Sequence, residues 1–228
     1  MEYLLHIDTS ASNGVVALSA SGQVVAAEPI ADSRSQAAEI NGLIDAVCSA
    51  AGITLRQLAG VAVCAGPGSY TGLRIGLATA KAICYIHEIP LFAHNKLALM
   101  AHQCLRGNPG YEEYTAVIPA REAEYFLAVY DMEMNERVAP VHITREDLAS
   151  ERLNREKNKC VVVSTMALAE DVAVLGGYMV NGEILDIAQW AMYAHQQYKC
   201  NGSVNLATAE PFYLKQVYTH NSKKNNDL

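Results

Sequence analysis

The sequence predicts an α/β protein of two related lobes, each a mixed sheet flanked by helices, and three observations predict it. The first is a strand–turn–strand beginning: "YLLHIDTS", "GVVALSA", a Ser21-Gly22 turn and "QVVAAEPI" set apolar runs between turn residues. The second is a helix succeeded by a buried strand. In "RSQAAEINGLIDAVCSAAG", Ala37, Ile40, Leu43, Ile44 and Val47 share one helical face and Gly52 ends it, after which "LAGVAVCAG" is apolar throughout, as a strand buried on both faces must be. The third is that a related order returns near residue 115: "TAVIPA", "EYFLAVYD", a turn near Asn135, "ERVAPVHIT", the buried run "CVVVST" and the helix "ILDIAQWAMYAHQQY". Three strands, a helix and a buried strand in each half imply a duplicated unit.

The loop "LRGNPGYEEY", rich in Gly, Pro and Asn, is the expected boundary. It divides the chain into a first lobe, 1–105, and a smaller second lobe, 106–228. The tail "NSKKNNDL" is polar and is expected to fray. Composition narrows the function. With 228 residues the chain can bury two sizeable cores, and a formal charge of −7 argues against a stand-alone nucleic-acid binder, whose footprint would be basic. The six cysteines are scattered without a CxxC and several sit in apolar runs, which reads as reduced, buried thiols. The N-terminus has no basic region before Asp8, and no segment has the apolar length of a membrane span. A cytoplasmic protein is expected.

The stretch "GPGSYTGLRIGLATAKAI" is the most unusual part of the chain. A Walker A loop needs GxxxxGK[ST] and a Rossmann turn GxGxxG; the spacing here is GxGxxxG with Pro67 inside, so neither applies. What remains is a helix start. Gly66 and Gly68 permit a tight turn, Ser69 or Thr71 can cap the helix, and such an N-terminus can receive an anion. Gly66, Gly68 and Ser69 are therefore the candidate phosphate residues of this turn, with turn geometry alone as the other reading. In the helix, Gly72, Gly76, Ala80 and Cys84 recur every four positions. Glycine inside a helix costs about 1 kcal/mol against alanine, and close approach by another helix is the expected compensation, with Leu73, Leu77 and Ile83 turned to the sheet. The preceding helix has its own small residues, Ala37, Ala38, Gly42 and Ala46. Two such helices could form half of a four-helix bundle completed by a second chain.

"LLHIDTS", "VAVCAGPGSYTGLRIGLATAKAI" and "EPFYLK", in this order and spacing, resemble the bacterial TsaB (YeaZ) family. The resemblance implies an actin-like ATPase (ribonuclease H-like) fold. It also implies a role in forming N6-threonylcarbamoyladenosine in tRNA, as a non-catalytic scaffold that pairs with the catalytic paralogue TsaD and recruits the ATPase TsaE. A homodimer through the same surface is implied too, with tRNA reached through the complex. The helices from Thr71 to His87 and Gln36 to Ala50 would build the interface, at Ala38, Gly42, Ala46, Gly72, Leu73, Arg74, Gly76, Ala80 and Cys84. No cofactor is obligatory on this reading, and ATP or ADP is expected only at a partner interface. Two departures stand out: "SQAAE" keeps Glu39 without the family's histidine, and "IPAREAEY" has Pro119 where an acid is common, before Ala120 and Arg121.

An independent enzyme is less well supported. No two histidines stand four apart, the nearest being His87, His94 and His102 at seven and eight, so a helix-borne metal pair is not expected. No GxSxG elbow is present. The alternative is weak nucleotide hydrolysis. The actin-like fold that the resemblance implies would use an acid at the end of the first strand to orient magnesium or water. Asp8, with Thr9 and Ser10, stands there beside the Gly66–Gly72 turn, unless Asp8 serves only local turn hydrogen bonds. The second lobe, with Pro119, Met166 and Ala167 at the corresponding places, offers at best half of such a site.

Overall fold

The computed structural model describes residues 1–31, 34–149, 158–182 and 185–214. The tail "NSKKNNDL" and Lys215 of "EPFYLK" lie outside the described residues. Strands β1 (Tyr3–Asp8), β2 (Val15–Ala20) and β3 (Gln23–Pro29) form an antiparallel meander, and β4 (Leu58–Gly66) and β5 (Leu91–Asn95) extend the sheet in parallel beyond β1. The second half repeats this arrangement. Strands β6 (Glu113–Pro119), β7 (Glu124–Asp131) and β8 (Glu136–Thr144) form the meander, and β9 (Lys159–Val163) and β10 (Tyr178–Asn181) add in parallel beyond β6. The orders β3-β2-β1-β4-β5 and β8-β7-β6-β9-β10 are one topology used twice, and the chain has the actin-like fold.

Strand alternation explains the layering. In β1, Leu5 and Ile7 join the core beneath α1 (Gln36–Ala50) and α2 (Tyr70–His87), whereas Leu4 points to the middle of the molecule. In β9, Val161 and Val163 face outward to a core closed by the short helix α4 (Ala169–Val172) and its flanking 3₁₀ turns, and Cys160 and Val162 face the middle. Every central strand is covered on both faces, so its sequence is continuously apolar rather than alternating. The middle layer holds α3 (Lys96–Gly107) and α5 (Ile187–Lys199). Helix α3 follows β5 but packs on β6, β7 and β9, while α5 follows β10 and packs on β1, β3 and β5. This exchange of helices joins the two halves into one body.

β5, α3 and β10 are elements that periodicity did not single out. β5 and β10 are only five and four residues long, too short for a period to register. Between β8 and β9 the described residues hold a 3₁₀ turn at Glu146–Ala149, and residues 150–157, on which the rest of the expected helix would fall, lie outside the described residues.

Two histidines are sealed in the middle layer. His6 donates or accepts at Ser19 Oγ (2.9 Å), and Trp190 Nε1 donates to His94 Nδ1 (2.8 Å). Burial depresses His6 to about 3 and His94 to about 4, because a buried imidazolium loses its hydration. The unfolded chain, with histidines near 6.5, binds more protons between these values, so stability is complete above that range and is lost as pH falls. Each histidine contributes a slope approaching about 1.4 kcal/mol per pH unit. The urea stability is therefore expected to drop by about 2 kcal/mol between pH 6.5 and 5.5, and His6→Gln should flatten the profile. An equal slope in that variant would assign the acid sensitivity to other groups.

Candidate functional site

β1 and β4 are parallel neighbours, so their C-terminal ends open at the same edge of the sheet. This brings Asp8, Thr9 and Ser10 beside the turn from Gly66 to Ser69. The Ser69 N–H donates to the Ser10 carbonyl (2.8 Å), and Thr9 Oγ1 donates to the Gly72 carbonyl (2.7 Å). Ser69 caps α2, accepting from the Gly72 N–H at 3.3 Å.

The glycines serve this close passage. A Cβ on Gly68 would overlap the Ser10 carbonyl, one on Gly72 the Thr9 carbonyl, and one on Gly76 the Thr9 hydroxyl. Gly66, at φ +111°, holds a conformation that side chains resist, with Leu73 packed against it. The expected outward seam is therefore corrected. Gly72, Gly76, Ala80 and Cys84 are buried against β1 and the outer core of their own lobe, and Leu73 is buried against Gly66. None of these five is on the surface that a partner could touch. The reason is geometric: β1 ends directly under the start of α2, and only a helix without side chains there can lie so close.

The exposed side of α2 carries Thr71, Arg74, Ala78, Ala82, Tyr85 and Ile86, the last two 77% and 70% exposed. On α1, Ala38, Gly42 and Ala46 are exposed, and a Cβ on Gly42 would meet nothing within 4 Å. The two helices thus present a shared face of small side chains edged by two large apolar ones. Arg74 is engaged within the chain. Its Nε donates to Tyr213 Oη (3.0 Å), and its guanidinium lies 4.1 Å from the Tyr70 ring centre. The C-terminal segment is thereby tied to α2, and further along the Phe212 N–H donates to the Ala65 carbonyl (2.8 Å) and Lys81 Nζ to the Ala209 carbonyl (3.1 Å).

Asp8 is buried, as are Thr9 and Ser10. Its Oδ1 accepts from the Ser10 N–H (2.8 Å), and Lys96 Nζ lies 3.7 Å from its Oδ2 while donating to Ser10 Oγ (2.8 Å). Cys64 Sγ also reaches Ser10 Oγ at 3.7 Å, and burial pushes its thiol up to about 12. Lys96 escaped the sequence reading. It opens α3 at the end of β5, beside β4, so the fold delivers its ammonium to Asp8 across 88 residues of sequence, from 8 to 96. A lysine in the first turn of a helix opposes the helix dipole, a local cost that a buried carboxylate offsets.

Above these residues lies a cleft of about 610 Å³ between the halves, where Ser10, Ser69 and Lys96 face Pro119, Arg121 and Ser164, with Phe212 and Tyr213 at its side. The charged residues among its described lining are Lys96 and Arg121, both cations. Among the described residues, the acid beneath the cleft, Asp8, is engaged by the Ser10 N–H and Lys96, and Pro119 ends the corresponding strand of the second half. Among the described residues, no three His, Cys, Asp or Glu side chains gather to hold a metal, and no helix is long and apolar enough to cross a membrane.

Comparison with known proteins shows what the chain is similar to. The family model described as "TsaD: tRNA N6-adenosine threonylcarbamoyltransferase" matches residues 26–176. The tRNA threonylcarbamoyladenosine biosynthesis protein TsaB of Escherichia coli (strain K12) is 28% identical over 219 residues, 93% of this chain and 94% of that protein. The tRNA N6-adenosine threonylcarbamoyltransferase of Bradyrhizobium diazoefficiens is 50% identical over 58 residues, 25% of this chain but only 16% of that enzyme. In three dimensions the chain is similar to YeaZ from Pseudomonas aeruginosa, with a TM-score of 0.77, 22% identity, and coverage of 94% of this chain and 100% of the other.

Proposed function

We propose, from the premise that this chain belongs to the TsaD-related family in its TsaB (YeaZ) branch, that it is a non-catalytic, partner-binding subunit. Membership ties it to the formation of N6-threonylcarbamoyladenosine in tRNA. On this proposal the α1–α2 face pairs with a TsaD paralogue, the pair recruits the ATPase TsaE, and tRNA is reached through the complex. A second copy of the chain competes for the same face.

The observation that carries the reading is the row Ala38, Gly42 and Ala46, exposed on α1 with open space above Gly42. Small side chains let two helix backbones approach closely, and the exposed Ala78 and Ala82 on α2 extend the same relief. Tyr85 and Ile86 supply large apolar surface at its edge, the kind of side chain that anchors an interface core.

The test is Gly42→Leu. Leucine is the better helix former by about 0.8 kcal/mol, and among the described residues nothing lies within 4 Å of a Cβ at this position, so the variant should fold at least as stably. Its pairing with the TsaD paralogue, followed by light scattering without TsaE or ATP, is expected to weaken about 100-fold or more, roughly 3 kcal/mol. An unchanged complex with folded Gly42→Leu would move the interface elsewhere. Autonomous hydrolysis at Asp8 and Ser10 is the weaker alternative, because the Asp8 carboxylate is already held by the Ser10 N–H and Lys96. ATP or ADP enters the proposal only at the partner interface, where another chain could bring acidic groups.

A further inference from the structure

The sulfur atoms of Cys104 and Cys160 lie 3.0 Å apart in the middle layer. They come from different elements, Cys104 from the last turn of α3 and Cys160 from the second position of β9. Fifty-six positions separate them in sequence, and no CxxC spacing advertises the pair. Both are buried and both are free thiols. A bonded pair sits at about 2.05 Å, so closure needs a movement of about 1 Å by two side chains that already face one another. The other buried thiols, Cys48, Cys64 and Cys84, have no such sulfur neighbour among the described contacts, and Cys200 is exposed.

We propose that Cys104 and Cys160 form a dithiol site that small hydroperoxides oxidise reversibly to a disulfide. Exposed residues flank the pair along the chain: Arg106 and Gly107 just beyond Cys104, and Asn158 two residues before Cys160. A local opening at these ends would admit an oxidant of the size of hydrogen peroxide. Either sulfur can donate the hydrogen bond between them, and that bond favours a thiolate on its acceptor. The acceptor, taken as Cys160, is the attacking sulfur. Its thiolate takes one oxygen of the peroxide, the O–O bond breaks, and hydroxide leaves and takes up the proton the thiol had released, giving a sulfenic acid and one water. The Cys104 sulfur then attacks that sulfur and expels the hydroxyl, which departs as a second water with the Cys104 proton. Two thiols and one hydrogen peroxide give one disulfide and two waters, sulfur being oxidised and peroxide oxygen reduced. The new bond would fasten α3, the helix that joins the two halves in sequence, to the second sheet.

The experiment treats the full native chain, as a Cys200→Ser variant to remove the exposed thiol, with hydrogen peroxide. Free thiols are then blocked in denaturant and the protein is mapped by mass spectrometry. The expected result is a loss of two hydrogens, one linked peptide joining Cys104 to Cys160, full reversal by dithiothreitol, and blocked Cys48, Cys64 and Cys84. The oxidised protein should also unfold at a higher temperature than the reduced one, a shift absent from Cys104→Ser. Two results would overturn the proposal. One is Cys104 and Cys160 remaining reduced under native conditions; the other is all buried thiols oxidising together at the rate of global unfolding.

Discussion

Gly76→Leu is expected to unfold the protein, with a loss above about 4 kcal/mol, a range reached only when a core is overfilled or its backbone displaced. A Cβ at this position falls on the Thr9 hydroxyl and comes within 3.4 Å of Ile7. Thr9 cannot retreat easily, since it is fully buried and its hydroxyl donates to the Gly72 carbonyl at 2.7 Å. The variant should appear as insoluble or urea-sensitive protein, not as a folded chain that fails to pair. A double-mutant cycle locates the cause. Gly76→Ala alone should cost about 2 kcal/mol or more, and Gly76→Ala with Thr9→Ala should cost less than the two single changes summed, because the colliding oxygen is gone. Strict additivity in urea unfolding would show that the strain lies elsewhere. Gly72 permits no such relief: there the obstacle is the Thr9 backbone carbonyl, which no side-chain change removes.

Lys96→Met should cost about 3–5 kcal/mol, the usual penalty for removing one partner of a buried ion pair. The Lys96 and Asp8 side chains are 6% and 5% exposed, so water cannot replace the ammonium beside the carboxylate. Ser10 Oγ loses its 2.8 Å donor in the same substitution. Replacing both charges, as Asp8→Asn with Lys96→Met, should recover at least half of the loss, since an uncharged pair of similar volume leaves no unpaired ion. The readout is the denaturation midpoint at constant m-value. Equal instability of the single and double variants would mean that packing of the lysine stem, not its charge, holds this end of the sheet together. The α1–α2 face lies on the opposite side of the first sheet from the middle layer, so the folded fraction of Lys96→Met should still pair with the TsaD paralogue.

The duplicated α/β architecture is legible in the residue pattern alone. Short apolar runs without alternation, rich in valine and bounded by turn residues, read as strands covered on both faces, and the meander-then-parallel order comes from short turns in the first three strands and a helix before the fourth. The "GPGSYTG" turn is legible for the same reason: glycines at fixed spacing report close approach, whatever makes it. What makes the approach is settled only in three dimensions. Helix α2 carries small residues on two sides, Gly72–Gly76–Ala80–Cys84 and Ala78–Ala82, and spacing cannot tell which side is inward. The parallel pairing of β1 with β4 settles it by laying Thr9 beneath the first turn of the helix. The Asp8–Lys96 pair, the His94–Trp190 hydrogen bond and the Cys104–Cys160 contact join positions dozens of residues apart. Periodicity reads only neighbours along the chain; such pairs exist because strand order and the exchange of α3 and α5 between the halves bring distant segments to one place.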